Sequence, residues 1–296
     1  DEVLNATAEQ MKLFIRWHAN CINSFEYVAR EVLPLPVVSA TMEGCMEKGM
    51  DVMYGGAKYN STGMAGIAIG NIADCLGITK YMVYDKKLCT ARELWEALSA
   101  NWVGYEDLRQ TIINDAPHYG NADDYCDQYA KWAADLFATT VNSITGPRGR
   151  FSAGLYPVTT NVIFGKMTDA TPDGRVRGEP LADGISPVQQ MDKNGPTAVL
   201  SSVSKIEQKA FPNGTLLNMK FHPSAVINEE GVRKLISLIQ TYFLLGGMEM
   251  QINVISADTM RAAQKDPVSY QNLIVRVAGF SAYFVELHKD GQNDLI

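Results

Sequence analysis

Four places in this 296-residue sequence bring together residue types that could do chemistry. Gly44-Cys45-Met46-Glu47 sets a thiol two positions from a carboxylate, the make-up of a nucleophile and its base. The segment reads as helix, however, and positions i and i+2 of a helix point about 200° apart. A free cysteine also behaves as a small hydrophobe, so a buried structural Cys45 is expected. Gly55-Gly56-Ala57-Lys58, followed by Ser61-Thr62-Gly63, offers glycines and a lysine to a phosphate. A phosphate loop needs its GxxxxGK[ST] spacing after a strand. Here a helical segment precedes, and a loop using glycine's backbone freedom is the plainer reading. His222, before Pro223, would act as base or ligand with a partner. No second histidine or cysteine is near in sequence, which favours a hydrogen-bonded structural role. Gly279 interrupts Val275-Arg276-Val277-Ala278-Gly279-Phe280-Ser281-Ala282-Tyr283-Phe284, where Val275, Val277 and Phe284 would pack. A plain strand gains nothing from a glycine there. A bulge or close backbone approach is one explanation. The other is chemical: an unpaired electron on a glycine Cα is planar and spreads over the flanking amide nitrogen and carbonyl, a planarity that any side chain obstructs.

The composition limits what such residues can serve. Hydrophobic residues make up 46% and charged residues 20%, which excludes a disordered chain. Lys and Arg number 26 against 33 Asp and Glu, a net charge of −7. Nucleic acids and anionic membrane surfaces need a basic footprint, so neither is expected as a partner. No run of roughly 18 apolar residues occurs, and no membrane-spanning helix is expected. Asp1-Glu2-Val3-Leu4-Asn5 has neither the basic start nor the apolar run of a signal peptide. With no initiator Met, the chain is expected to be processed or part of something longer. The five cysteines (Cys21, Cys45, Cys75, Cys89, Cys126) are odd in number and scattered, and the four histidines (His18, His118, His222, His288) lie far apart. Neither a disulfide scaffold nor a metal site is expected. Thirteen methionines and free thiols fit a reducing compartment, the cytoplasm.

The periodicities place these residues on elements. Leu4, Met11, Phe14, Ile15, His18 and Ile22 recur at helical spacing in a long helix that must end before Pro34 and Pro36. Residues 37–48 read as a second helix stopped at Gly49. Residues 64–76, rich in small side chains, read as a third. Thr90 caps a helix carrying Leu94, Trp95 and Leu98. Asn121 opens a long helix with Tyr125, Tyr129, Trp132, Ala133 and Leu136 on one face, a stripe better suited to core than to stacking. Residues 145–195 are dense in Gly, Pro, Asp, Thr and Ser, and loops of that length are usually functional. A strand is expected at 155–164, with Pro157, Thr159 and Asn161 on one face. Strands at 215–221 and 250–255 flank an amphipathic helix at 231–245, and Ser256 caps the next helix. Helix and strand mix throughout, so the fold class is α/β.

The segment around Gly279 resembles the glycyl radical signature of the pyruvate formate-lyase superfamily. Gly55-Gly56-Ala57-Lys58-Tyr59-Asn60 is similar to that family's core loop. Thr171-Pro172-Asp173-Gly174-Arg175, the run Gly178-Glu179-Pro180-Leu181-Ala182-Asp183-Gly184-Ile185-Ser186-Pro187, Gly195-Pro196-Thr197-Ala198-Val199-Leu200 and Asn218-Met219-Lys220-Phe221-His222-Pro223 resemble its eliminase and decarboxylase branch. The resemblance implies the C-terminal part of an α/β barrel with surrounding helices. Residues 1–165 would belong to the barrel and 166–296 to the glycyl radical domain. It makes Gly279 the radical residue, modified after translation, with no bound metal or organic cofactor. Its implied partners are a radical S-adenosylmethionine activating enzyme, a small-molecule substrate and a second copy in a homodimer. The family's catalytic Cys, in a Gly-Cys-x-Glu loop, would lie upstream of residue 1; Gly44-Cys45-Met46-Glu47 repeats only its letters.

In this family the glycyl radical takes hydrogen from the Cys, whose thiyl radical takes hydrogen from the substrate. The implied reactions are dehydration of hydroxyproline or a diol, C–N cleavage of choline, C–S cleavage of a sulfonate, or arylacetate decarboxylation. Arg148-Gly149-Arg150-Phe151-Ser152-Ala153-Gly154-Leu155-Tyr156-Pro157-Val158-Thr159-Thr160 is most similar to the branch that dehydrates trans-4-hydroxy-L-proline to 1-pyrroline-5-carboxylate. Thr159 would offer a hydroxyl to the substrate and Pro157 an apolar contact; alternatively Thr159 pairs within a sheet, which suits its β preference. A radical-carrying subunit without its own catalysis is a further alternative.

Overall fold

The computed structural model describes residues 1–296. In chain order the elements are α1 (Glu2–Val32), α2 (Pro36–Thr41), α3 (Cys45–Lys48), β1 (Thr62–Gly66), α4 (Ile69–Thr79), α5 (Ala91–Ser99), α6 (Glu106–Asp115), α7 (Asp124–Asn142), β2 (Thr145–Gly146) and β3 (Gly149–Leu155). They continue with α8 (Thr160–Met167), α9 (Gly195–Val203), β4 (Asn218–Phe221), α10 (Glu229–Leu244), β5 (Gln251–Val254), α11 (Ala257–Lys265), β6 (Ile274–Arg276), β7 (Ser281–Tyr283) and α12 (Lys289–Leu295). The class is mixed α/β. The chain divides into two compact units. One holds Asp1–Ala65, Asp135–Gly154 and Ala210–Asn213; the other holds Gly66–Ala134, Leu155–Lys209 and Gly214–Ile296.

In the first unit, α1 buries Ile15, Ala19 and Glu26. A buried carboxylate needs partners, and Glu26 Oε1 accepts from Thr62 Oγ1 at 2.7 Å and from Arg148 Nη2 at 2.6 Å. The sheet runs in the order β1-β3-β2, with β2 and β3 antiparallel. The single helix expected over 37–48 is two short ones. Asp51 Oδ2 accepts from Leu35 N–H and Ser39 Oγ, drawing the chain back on itself. Gly44 then turns with φ +96°, a left-handed conformation that glycine adopts without strain. The helix expected at 64–76 is also divided: residues 62–66 pair in the sheet as β1, and α4 begins only at Ile69, after Ala68 with φ +65°.

In the second unit, Ile78, Met82, Leu94, Ala97, Trp102 and Ile112 form one buried cluster. Thr90 caps α5 through a reciprocal pair with Glu93, and Ser256 caps α11, both as the sequence predicts. The segment at 168–194 is long and lacks regular structure, yet it is tied to one buried cation. Arg175 donates to the backbone carbonyls of Gly165, Thr168, Asp169, Val176 and Glu179. Two of these carbonyls, Gly165 O and Val176 O, also accept from the N–H groups of Thr168 and Glu179. Asp173 fixes the same loop to α4 by accepting from Asn71 Nδ2 at 2.6 Å. β4 and β5 pair in parallel with Asn218 opposite Gln251. β6 and β7 form an antiparallel hairpin above a cluster of Met260, Ala263, Val275, Phe284 and Leu295.

Candidate active site

The hairpin places Gly279 at its tip. Arg276 pairs with Ser281, and Val277 N–H donates to Phe280 O at 2.9 Å, which closes a tight turn with Ala278 and Gly279 in the middle. Gly279 has φ +85°, the left-handed region that a turn of this kind reserves for glycine. The glycine expected inside an apolar strand thus sits between two short strands. No atom lies within 4 Å of where a Cβ would stand, so conformation rather than crowding selects glycine.

β5 holds this turn through two side chains. Asn253 Nδ2 donates to Arg276 O at 2.8 Å, and Arg276 N–H donates back to Asn253 Oδ1 at 2.9 Å. Gln251, 3% exposed, accepts from Gly279 N–H at 2.8 Å through Oε1. Its Nε2 donates to Asn218 Oδ1 at 2.9 Å, as their facing positions in the parallel register allow. Asn218 Nδ2 donates in turn to Asp183 Oδ2.

A small cavity of about 30 Å³ lies against Val277 and Ala278, lined also by Pro157, Thr159, Asn161, Asp183, Asn253 and Asp294. Asp183 Oδ1 and Asp294 Oδ1 are buried without hydrogen-bond partners. Burial and the neighbouring Asp183 push the Asp294 carboxyl up to about 6. A larger cavity of about 840 Å³ shares Asp183, Asn218, Lys220 and Asp294 with it and extends along Arg109, Gly174, Met191 and His222.

Pro157 and Thr159 therefore meet the cavity beside Ala278, but not from a strand. β3 ends at Leu155, whose bridge to Thr215 is isolated. Pro157 has no N–H for a ladder. Its carbonyl accepts from Thr160 N–H at 2.7 Å and from Thr160 Oγ1 at 2.5 Å, which starts α8. Val158 and Thr159 take φ +44° and +70°, so the shared strand face of Pro157, Thr159 and Asn161 does not exist. A turn delivers the first two to the cavity, and the first turn of α8 delivers Asn161.

The other candidates are occupied structurally. Glu47 Oε2 accepts from Gly44 N–H at 2.9 Å, closing the start of α3, while Cys45 is buried. The Gly55–Gly56 loop turns its carbonyls inward: Asn60 Nδ2 donates to Gly55 O and Ala57 O. A phosphate cradle would instead present N–H groups. His222 Nδ1 accepts from Ser224 N–H at 3.3 Å and caps a short helical turn. Sequence reasoning missed Gln251, Asn253, Asn218 and Asp183. For Asn218 and Gln251 the signal is an amide side chain at the start of each of two adjoining strands, an expensive choice unless it is hydrogen-bonded.

Comparison with known proteins gives the family. A family described as Pyruvate formate lyase-like matches residues 1–165, and one described as Glycine radical matches residues 181–285. The chain is 40% identical to the (2S)-3-sulfopropanediol dehydratase of Klebsiella oxytoca, over all of this chain and 37% of the relative. It is 36% identical to the trans-4-hydroxy-L-proline dehydratase of Clostridioides difficile, over all of this chain and 38% of the relative. The glycerol-bound structure of the B12-independent glycerol dehydratase from Clostridium butyricum superposes with a TM-score of 0.95 at 43% identity, covering 100% of this chain and 38% of that one. The chain thus spans well under half the length of the relatives it matches. It belongs to the pyruvate formate lyase-like family and carries that family's glycine radical domain.

Proposed function

We propose that the complete protein is a glycyl radical lyase, that Gly279 carries the radical, and that the reaction is dehydration of a small polar substrate. The observation that carries this reading is the turn itself. It exposes a glycine whose Cα has open space on its Cβ side and whose amide is fixed by Gln251. It also sets that glycine one residue from the cavity lined by Pro157 and Thr159. Relatives named as dehydratases, aligned along the whole chain, support the reaction class. Residues 1–165 would serve as part of the barrel and 166–296 as the radical domain. A radical S-adenosylmethionine enzyme would install the radical, and the Gly-Cys-x-Glu loop upstream of residue 1 would pass it to the substrate. Enclosure would keep water from the reacting groups. Two copies in a cytoplasmic homodimer complete the reading.

For the substrate, the segment leading to Thr159 supports trans-4-hydroxy-L-proline, which would lose water to give 1-pyrroline-5-carboxylate. Thr159 Oγ1 would hold a polar group of the substrate, and Pro157 would pack against its ring. A diol is the second reading. The identity to the glycerol dehydratase is 43%, against 36% to the hydroxyproline dehydratase. The deciding experiment is anaerobic activation of the complete protein, with a doublet expected by electron paramagnetic resonance. Hydroxyproline, propane-1,2-diol, glycerol and (2S)-3-sulfopropanediol are then supplied separately. Release of 1-pyrroline-5-carboxylate supports the first reading, and an aldehyde from a diol replaces it with the second. An activated protein that consumes none of the four overturns dehydration of these substrate classes.

A further inference from the structure

The hydrogen bonds behind Gly279 run in one direction. Gly279 N–H donates to the Gln251 side-chain carbonyl, Gln251 Nε2 donates to the Asn218 side-chain carbonyl, and Asn218 Nδ2 donates to the Asp183 carboxylate. Two amide dipoles are thus aligned head to tail and end on an acidic side chain. Aligned hydrogen bonds polarise one another inside a protein. Bonds that end on an ionised group are the stronger ones. Gln251 is 3% exposed and Asp183 6% exposed, so water competes little with either. Sheet pairing sets the middle of the chain, because Asn218 and Gln251 face each other across β4 and β5. Asp183 is fixed from its own side, where Ile185 N–H donates to Leu216 O and Asn218 N–H donates to Ser186 Oγ.

We propose that Gln251, backed by Asn218 and Asp183, is a positioning residue that tunes the electronic stabilisation of an unpaired electron at Gly279. This rests on the reading that Gly279 carries the radical. A glycine Cα radical is stabilised by electron donation from its own amide nitrogen and withdrawal by its carbonyl. An acceptor on the N–H makes the nitrogen more electron-rich and strengthens the donation. The carboxylate at the far end polarises each amide in the same sense. The arrangement also holds the peptide plane at the turn, so the planar radical forms with little rearrangement.

The test uses the complete, anaerobically activated protein. Gln251→Met keeps an unbranched side chain and removes the acceptor. Spin withdrawn from the nitrogen returns to Cα, so the α-hydrogen splitting of the doublet should widen. Radical content per subunit should fall roughly three- to tenfold, the worth of one hydrogen bond. In the unactivated protein, deuterium exchange at the Gly279 amide should quicken. Asp183→Asn preserves shape and can still accept from Asn218, so it carries the test if Gln251→Met does not fold. It removes only the charge, and a smaller widening is expected. A wild-type splitting in either folded variant overturns the proposal. The absence of any doublet in the wild-type protein overturns the radical reading itself, and is told apart because no variant is needed to see it.

Discussion

His118 Nδ1 lies 2.9 Å from Asp74 Oδ2, and both side chains are buried. The other ring nitrogen lies 3.2 Å from Ile112 O, while Asp74 Oδ1 accepts from Tyr119 N–H at 2.6 Å. Both ring nitrogens face acceptors, so a protonated ring can donate from both. The pair fixes α4 to the segment between α6 and α7.

A pH dependence of stability follows. Burial raises the Asp74 carboxyl, against the pull of His118. For His118 burial opposes the charge, but the Asp74 carboxylate and the Ile112 carbonyl outweigh it and hold the ring above its ordinary value. Both groups bind protons more tightly folded than unfolded, so their contribution falls as pH rises. The histidine's share is fully present below about 6.5 and is lost as pH climbs through the folded value. His118→Asn should destabilise the protein by about 3 kcal/mol at pH 6, in the range for breaking a buried pair. Between pH 6 and pH 9 the melting temperature should fall more for the wild type than for the variant. Parallel curves would remove this pair as the cause.

Gly279→Ala should abolish the doublet and turnover together. The structure separates this from misfolding. A Cβ meets nothing within 4 Å, and the remaining cost is the φ of +85°, about 1–2 kcal/mol for a residue with a side chain. Circular dichroism and melting should therefore stay near wild type. A full doublet in the Ala variant would move the radical elsewhere.

Cys45→Ser should leave most activity, with a modest loss of stability from placing a hydroxyl at a buried site. Gly44→Ala should do more damage. A Cβ there would stand 2.8 Å from Lys58 N and 3.0 Å from Gly56 O, both backbone, and φ is +96°. A loss above about 2 kcal/mol is expected, measured by denaturant melts of both variants. Equal losses would mean that the Gly55–Gly56 loop moves aside easily. Complete loss of turnover in Cys45→Ser, with fold and radical intact, would make Cys45 a reacting thiol.

The residues show why much of this was readable in advance. Thr90 and Ser256 announce helix starts through their own side chains, and α1 ends where Pro34 forbids continuation. Those are local rules, and the structure keeps them. The helix expected over 37–48 failed because its break depends on Asp51 reaching back to Leu35 and Ser39, which no local window contains. The strand expected at 155–164 failed in a similar way. Its β-favourable Val158, Thr159 and Thr160 are overridden by a proline carbonyl that starts a helix. At the candidate site, Gly279 drew attention as a glycine inside an apparent apolar strand, whereas the structure puts it in a turn whose positive φ suits a glycine. Gln251 was not legible: its meaning lies in an opposite strand and a turn 28 positions away.

Thr159 is strained as well as placed. It follows Val158, and both are branched residues at positive φ, where branched side chains are rarely found. Such strain concentrates at functional sites and costs on the order of 1–3 kcal/mol per residue. Two substitutions separate the roles of backbone and hydroxyl. Thr159→Gly relieves the strain and should raise stability by about 1 kcal/mol, yet lower turnover because the side chain at the cavity is gone. Thr159→Val keeps the branched shape and the strain and removes only the hydroxyl. Its direct cost in binding is about 0.5–1.5 kcal/mol. A substrate displaced by about 1 Å can lose a hundredfold in rate, because hydrogen abstraction needs the reacting atoms near contact. The expected result is a melting temperature like wild type in Thr159→Val, a higher one in Thr159→Gly, and a clear fall in turnover for both at equal radical content. Equal radical content matters because a poorly activated variant imitates a catalytic defect. If Thr159→Val keeps wild-type kinetics on every substrate the enzyme accepts, the hydroxyl has no part in recognition, and Thr159 serves only to shape the turn before α8.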